Sequence, residues 1–204
     1  MRFCPRCGSR LKRVWIAVAK RHRNVCTRCD SIAYENPKIL VTTIVTCSGR
    51  VLLCRRADPP KRLRWTAPAG FMECGETLEE AAAREIREEA LIAVNPNALV
   101  FYALSSLRDM DQVYVSFRTE VQDLQVGCGP ECVEVRYFTE DEFPWNSLAY
   151  PEMVGFFRLY FRERRAGEFS IHLTHLDASE IVRSTYAIGE VKHVRQPRGA
   201  ARST

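Results

Sequence analysis

The sequence predicts an α/β fold, with helices packed on a sheet, preceded by a small cysteine module. Three observations carry that prediction. Strand-like apolar runs are interleaved with two helix-like stretches through the middle of the chain. Four of the nine cysteines fall into two Cys-x-x-Cys pairs near the N-terminus. Hydrophobic residues make up 46% and charged residues 27%, a globular balance that can bury a sizeable core without disulfides.

The first 34 residues are too short for a core of their own. Cys4-x-x-Cys7 and Cys26-x-x-Cys29 have the spacing of a zinc ribbon, in which two knuckles contribute two thiolates each. Four protein ligands leave no position open for water, so the Zn²⁺ is expected to be structural. Its binding would supply the folding energy that the module cannot obtain from packing. The N-terminus, Met-Arg-Phe-Cys-Pro, has no apolar export segment, which favours metal binding over disulfides and a cytoplasmic location. Cys47, Cys54, Cys74, Cys128 and Cys132 are scattered and read as small buried hydrophobes. The longest apolar runs are far too short to span a bilayer, so no membrane partner is expected.

Residues 1–29 hold nine Lys or Arg and no acid. Two readings fit: a solvated basic surface, or a nucleic-acid-binding module on which Phe3 and Trp15 stack against bases. The same two aromatics would serve equally well as the ribbon's packing residues.

From residue 35 to 176 the elements alternate. Ile39–Cys47 and Arg50–Arg55 read as a hairpin around Ser48-Gly49. Pro68–Gly70 breaks the pattern. Residues 76–90 are nearly all strong helix formers, and Thr77 followed by Glu80 is a capping box that sets the start. Leu99–Leu104, Gln112–Glu120 and Val133–Phe138 read as strands. Glu152–Arg165 reads as an amphipathic helix whose stripe of Val154, Phe157 and Phe161 belongs in a core. Residues 177–204 form a basic, polar tail, expected to be disordered.

The informative feature is the acid helix. Glu85, Glu88 and Glu89 project within an arc of about 100°. Glu85 and Glu89 are like charges at i,i+4, which costs a helix about 0.2–0.5 kcal/mol. A divalent cation turns that repulsion into binding, and Mg²⁺ bridges such carboxylates to substrate phosphates. By charge spacing alone a solvated acidic face fits as well. The flanking residues decide: Gly70-x5-Glu76-x7-Arg84-Glu85-Ile86-x-Glu88-Glu89 resembles the Nudix box at every defined position but one. The exception is Leu91, where the box has the glycine that ends the helix. There a left-handed conformation is often needed and a side chain costs about 1 kcal/mol. Either the helix runs on past Ala90 or the turn differs.

The chain resembles the Nudix superfamily over residues 36–176. Over nearly its whole length it is similar to a zinc-ribbon branch that includes plant-type FAD and ADP-ribose pyrophosphatases. The branch resemblance rests on Phe3–Gly8, Tyr34–Lys38, Val51–Arg56, Trp65–Phe71, Gly129–Glu131 and Pro144–Ala149.

The resemblance implies a Nudix α/β/α sandwich with a mixed sheet, and Mg²⁺- or Mn²⁺-dependent hydrolysis of a diphosphate in a small nucleotide substrate. By position, Glu85, Glu88 and Glu89 bind the metal, and Gly70 offers its carbonyl. Glu76 and Arg84 orient loop and helix. A carboxylate from a later loop completes the site or acts as base; alignment selects Glu131, with Glu134 as the alternative. ADP-ribose or FAD is the preferred substrate, and an RNA end delivered by the basic ribbon is the alternative. The proline- and aromatic-rich signature of NADH pyrophosphatases is missing from Phe101–Arg108, so the sequence does not support NADH. Specificity is expected from Tyr102–Asp111 and Pro144–Tyr150. Dimers are common in related enzymes, so a homodimer fits the resemblance.

Overall fold

A computed structural model describes residues 1–176 of the chain, so the expected disorder of 177–204 falls outside the described residues. The chain divides into two compact units, Met1–Pro37 and a second beginning at Lys38. Among the described residues no helix is long and apolar enough to cross a membrane.

The first unit is a three-stranded antiparallel sheet of β1 (Leu11–Ile16), β2 (Arg21–Cys26) and β3 (Ile32–Ala33), in that order. Each Cys-x-x-Cys sits in a tight turn whose next residue has positive φ: Gly8 at 71° and Asp30 at 55°. Glycine and aspartate tolerate that conformation better than most residues.

The second unit opens with β4 (Lys38–Cys47) and β5 (Arg50–Arg56). Ser48 and Gly49 both have positive φ, as the mirror-image hairpin turns that match strand twist require. The two strands stay paired only from Thr46↔Val51 to Cys47↔Arg50 and then diverge. The gap is filled by β6 (Trp65–Thr66) on β5 and β7 (Ala69–Phe71) on β4. From β7 the chain enters α1 (Leu78–Ala90), so this split places the helix. The remaining elements are β8 (Val100–Leu107), β9 (Gln112–Glu120), β10 (Cys132–Phe138), α2 (Glu152–Ala166) and β11 (His172–Leu176). The sheet runs β10-β5-β4-β9-β8-β11, with β4·β9 and β8·β11 parallel and the other pairs antiparallel.

Period-two alternation sends side chains to both faces of this mixed sheet. Val41, Val45 and Leu52 join Ala82, Ile86 and Phe117 in a core on the α1 side. Ile44, Leu53 and Tyr102 join Phe157 and Phe161 on the α2 side. The two clusters define an α/β/α sandwich. β4 is buried along most of its length, as expected of a central strand with both faces covered. Full burial of Phe157 and of Phe161 stabilises the unit by about 2–3 kcal/mol each. The Val154–Phe161 stripe is therefore core, with Val154 packed at its margin.

Two expectations need correction. Cys47, Cys54 and Cys132 are buried, but Cys74 and Cys128 are exposed, because both lie in loops flanking the acid helix rather than in strands. Tyr102–Leu107 is strand rather than loop: it forms most of β8, with Tyr102 fully buried, while Ala103, Ser105 and Leu107 line a cleft.

Candidate active site

The acid helix starts where the capping box predicts. Thr77 Oγ1 accepts from the Glu80 amide at 3.1 Å, and Glu80 Oε2 accepts from the Thr77 amide at 2.8 Å. It ends at Leu91, which takes the left-handed conformation itself, φ 58° and ψ 28°. The turn therefore keeps the geometry that glycine gives elsewhere, and the helix does not run on. Loop 127–129 seals this end: the Gly127 and Gly129 amides donate to the carbonyls of Ala90 and Glu89, each at 2.9 Å. Gly129 lies so close to the Glu88 backbone that a Cβ there would collide with it.

Arg84 organises the acids. Its Nε and Nη2 donate to the two oxygens of Glu76 at 2.7 and 3.1 Å, and Nη2 also donates to the Phe71 carbonyl at 3.0 Å. Nη1 reaches Glu85 Oε1 at 2.6 Å and Glu88 Oε2 at 3.0 Å. Arg84 thus holds the 71–76 loop against the helix and sets the directions of two carboxylates. The same guanidinium keeps the Glu76 carboxyl below its usual range.

The three helix acids occupy different environments. Glu88 is half exposed, Glu85 is mostly covered and Glu89 is buried. Glu85 lies directly over Gly70, where any Cβ would strike its carboxylate. Burial pushes the Glu85 carboxyl up despite Arg84. Burial pushes Glu89 up from 4.5 to about 7, against hydrogen bonds from the Ala69 amide, at 3.4 Å, and from the Cys54 thiol. Glu89 Oε2 is buried and has no hydrogen-bond partner. Glu131 is exposed and near enough to raise both Glu85 and Glu89. Glu134 instead faces β5 and pairs with Arg55 at 3.2 Å.

These residues fit a hard divalent cation. The set offers oxygen ligands only, contains an orphaned buried carboxylate oxygen, and includes a backbone approach that needs glycine. The box carboxylates do not themselves converge into a tight cage among the described residues. An ion that retains several waters suits that spacing.

A cleft of about 490 Å³ opens beside the box, a size typical of small-molecule sites. Its lining includes Ala69, Arg56, Ser105, Tyr114, Tyr150 and Phe156. Ala69 belongs to both features, since its amide faces Glu89. Arg56 Nε is buried there without a partner. Sequence reasoning reached only part of this cleft: Ser105 and Tyr150 lie in the two segments expected to set specificity, but Arg56, Tyr114 and Phe156 come from β5, β9 and α2, which no linear motif joins. It also missed the buried network in which Glu163 accepts from the Tyr102 hydroxyl at 2.8 Å and bonds His172 Nε2 at 2.9 Å.

In the ribbon the four thiols gather as their spacing implied, with ligand atoms all within 4.8 Å of one another. Backbone amides of Arg6 and Arg28 point at the sulfurs of Cys4 and Cys26, at 3.4 and 3.3 Å. The Ser31 hydroxyl, unforeseen from sequence, contacts Cys4 and Cys29 Sγ at 3.4 and 3.0 Å and draws the Cys4 thiol down to about 6.

A mixed sheet between two helices, carrying a helix of paired glutamates over a glycine, defines a Nudix-type hydrolase. The NUDIX domain profile matches residues 36–160, and the Nudix N-terminal zinc-ribbon profile matches residues 2–35. The chain belongs to the NUDIX family and is a Nudix pyrophosphohydrolase with an N-terminal zinc ribbon. It is 31% identical over 123 residues to the ADP-ribose pyrophosphatase of Methanocaldococcus jannaschii, an alignment covering 59% of this chain and 73% of that protein. It is 38% identical over 98 residues to the NAD-capped RNA hydrolase NudC of Vibrio atlanticus, covering 47% of this chain but only 34% of that one. A crystal structure of a NUDIX hydrolase from Nitrosomonas europaea superposes with a TM-score of 0.82 at 40% identity, covering 87% of this chain and 99% of the other.

Proposed function

We propose that this protein hydrolyses the diphosphate of a nucleoside diphosphate linked to a second group, with ADP-ribose or FAD preferred, in a Mg²⁺- or Mn²⁺-dependent reaction. The observation that carries the reading is the position of Ala69. One residue lines the cleft and also contacts the deepest acid of the helix, so a ligand filling the cleft would bring its diphosphate to the carboxylates.

Glu85, Glu88 and Glu89, with the Gly70 carbonyl, would hold the cation. When bound, the ion neutralises diphosphate charge and lowers the pKa of a coordinated water. The other tasks fall to side chains. Arg56, with an unpartnered buried donor, would grip a phosphate oxygen in the cleft. Tyr114, Tyr150 and Phe156 would pack against the base and the sugar. Glu131, exposed beside the cluster, would take the proton of the attacking water. Glu76 and Arg84 position without touching substrate. Water attacks one phosphorus, the bridging P–O bond breaks, and two monophosphates leave.

ADP-ribose is supported by the archaeal relative and FAD by the branch resemblance. A second reading has a separate observation behind it. Phe3, Trp15 and Tyr34 are exposed on the basic ribbon, and Arg23 stacks on Tyr34 at 5.2 Å from its centroid, a surface suited to single-stranded nucleic acid. A panel of ADP-ribose, FAD, NADH, NAD-capped RNA and nucleoside triphosphates, assayed with Mg²⁺ for released monophosphate, tests both. AMP with ribose 5-phosphate or FMN as leading products supports the proposal. Preference for nucleoside triphosphates over every linked diphosphate contradicts it.

A further inference from the structure

Cys54, Glu89 and Cys132 form a second group whose ligand atoms all lie within 4.8 Å of one another. Cys54 is wholly buried on β5, and Cys132 is buried at the start of β10. The two strands are neighbours in antiparallel register. A bulge between Cys132 and Glu134 offsets the pairing there. Cys128 does not complete the group, because its thiol donates to the Cys132 carbonyl at 3.0 Å. Glu89 is only 6% exposed, lies against the Cys54 thiol, and keeps an Oε2 with no hydrogen-bond partner, an oxygen open to either cation.

We infer that Cys54, Cys132 and Glu89 form a binding site for a thiophilic divalent cation, with Zn²⁺ the natural occupant, which competes with the catalytic cation for Glu89. Two sulfurs and one carboxylate oxygen are a borderline-soft donor set that Mg²⁺ avoids and Zn²⁺ takes. At Zn–S distances of about 2.3 Å, tetrahedral geometry places sulfurs about 3.8 Å apart, which the observed cluster reaches with small side-chain movements. Binding releases the two thiol protons, and a water fills the fourth position. Cys54 and Cys132 belong to the buried core cluster, while Glu89 Oε1 accepts from the amide of Ala69, the residue before the box glycine. A Glu89 carboxylate engaged by Zn²⁺ beside the two sulfurs is not free to serve the catalytic cation. The ion site stands on geometry alone; the competition rests on the role proposed above for Glu89.

The test uses the full chain carrying its ribbon zinc, dialysed under reducing conditions against Zn²⁺ in a large excess of Mg²⁺. Elemental analysis is expected to find a second zinc per chain in the wild type and only the ribbon zinc in Cys54→Ser/Cys132→Ser. A wild type that holds only the ribbon zinc, or a double variant that still takes up the second, overturns the site. Should the double variant fail to fold, Cys132→Ala at the strand end replaces it. It is expected to take up the second zinc at least about tenfold more weakly, the loss that even an outer partner of a metal ligand produces. Turnover of ADP-ribose separates the second claim. Zn²⁺ is expected to inhibit the wild type and to spare Cys132→Ala, whose activity without added zinc is unchanged. Uptake of the second zinc with no inhibition upholds the ion site and overturns the competition for Glu89.

Discussion

Arg84 grips Glu76 in a two-pronged hydrogen bond, Nε to Oε1 at 2.7 Å and Nη2 to Oε2 at 3.1 Å, and so ties the loop after Gly70 to the acid helix. Both side chains are about four-fifths covered, so the pair is better insulated than a surface bridge. A lysine keeps the charge and loses the fork. Arg84→Lys is expected to lower stability by about 1–2 kcal/mol in chemical denaturation and to cut turnover, because Glu85 and Glu88 lose their common donor. Unchanged stability together with unchanged turnover would show that the fork is incidental.

Leu91 holds a left-handed conformation with its side chain 60% exposed, so little packing is at stake there. Leu91→Gly is expected to stabilise the protein by about 1 kcal/mol or less and to leave activity intact, since the carboxylates precede it. Thermal unfolding checks the sign. Destabilisation would show that Leu91 contributes more against Gly127 than its backbone costs.

Glu89 sets a pH dependence. Its folded pKa of about 7 exceeds the ordinary 4.5, so the folded state holds the proton more tightly than the unfolded chain. The stability attached to that proton is fully present below pH 4.5 and is lost as pH rises through 7. In Mg²⁺-free buffer, Glu89→Gln is expected to stabilise the protein at pH 8 by on the order of 3 kcal/mol, with the gain shrinking as pH falls and vanishing below the unfolded value of 4.5. Denaturation at pH 8 and at about pH 4 checks this; a gain independent of pH would contradict it.

The ribbon makes its own prediction. Purified protein is expected to hold one tightly bound zinc at the cluster of Cys4, Cys7, Cys26 and Cys29. Cys4→Ser or Cys26→Ser should release it and unfold residues 1–37, while the second unit keeps its near-ultraviolet signature. Zinc-free wild type from an undamaged preparation would refute the centre.

What was legible in the sequence shared one property, namely that it was local. The acid helix, its cap, the Ser48-Gly49 hairpin and the two cysteine knuckles are each set by residues a few positions apart. The Leu91 turn was half legible: the sequence flagged the departure, but only the seal by Gly127 and Gly129 shows why the turn survives. The short strands β6, β7 and β11 carry no periodicity of their own and exist because longer strands offer them an edge. Most of the cleft was hidden because Arg56, Tyr114 and Phe156 meet only after the sheet has formed. The pairing of Glu134 with Arg55 was equally out of reach, because it depends on the β5–β10 register.

The most direct test of the central claim compares turnover of ADP-ribose in the presence of Mg²⁺ by the wild type and by Glu85→Gln, Glu88→Gln and Glu89→Gln. Each variant removes one metal-facing charge and little packing, and each is expected to stay folded while losing turnover by about a hundredfold or more. Retention of near wild-type turnover in both Glu88→Gln and Glu89→Gln would contradict the account, because the reaction would not depend on the acid helix.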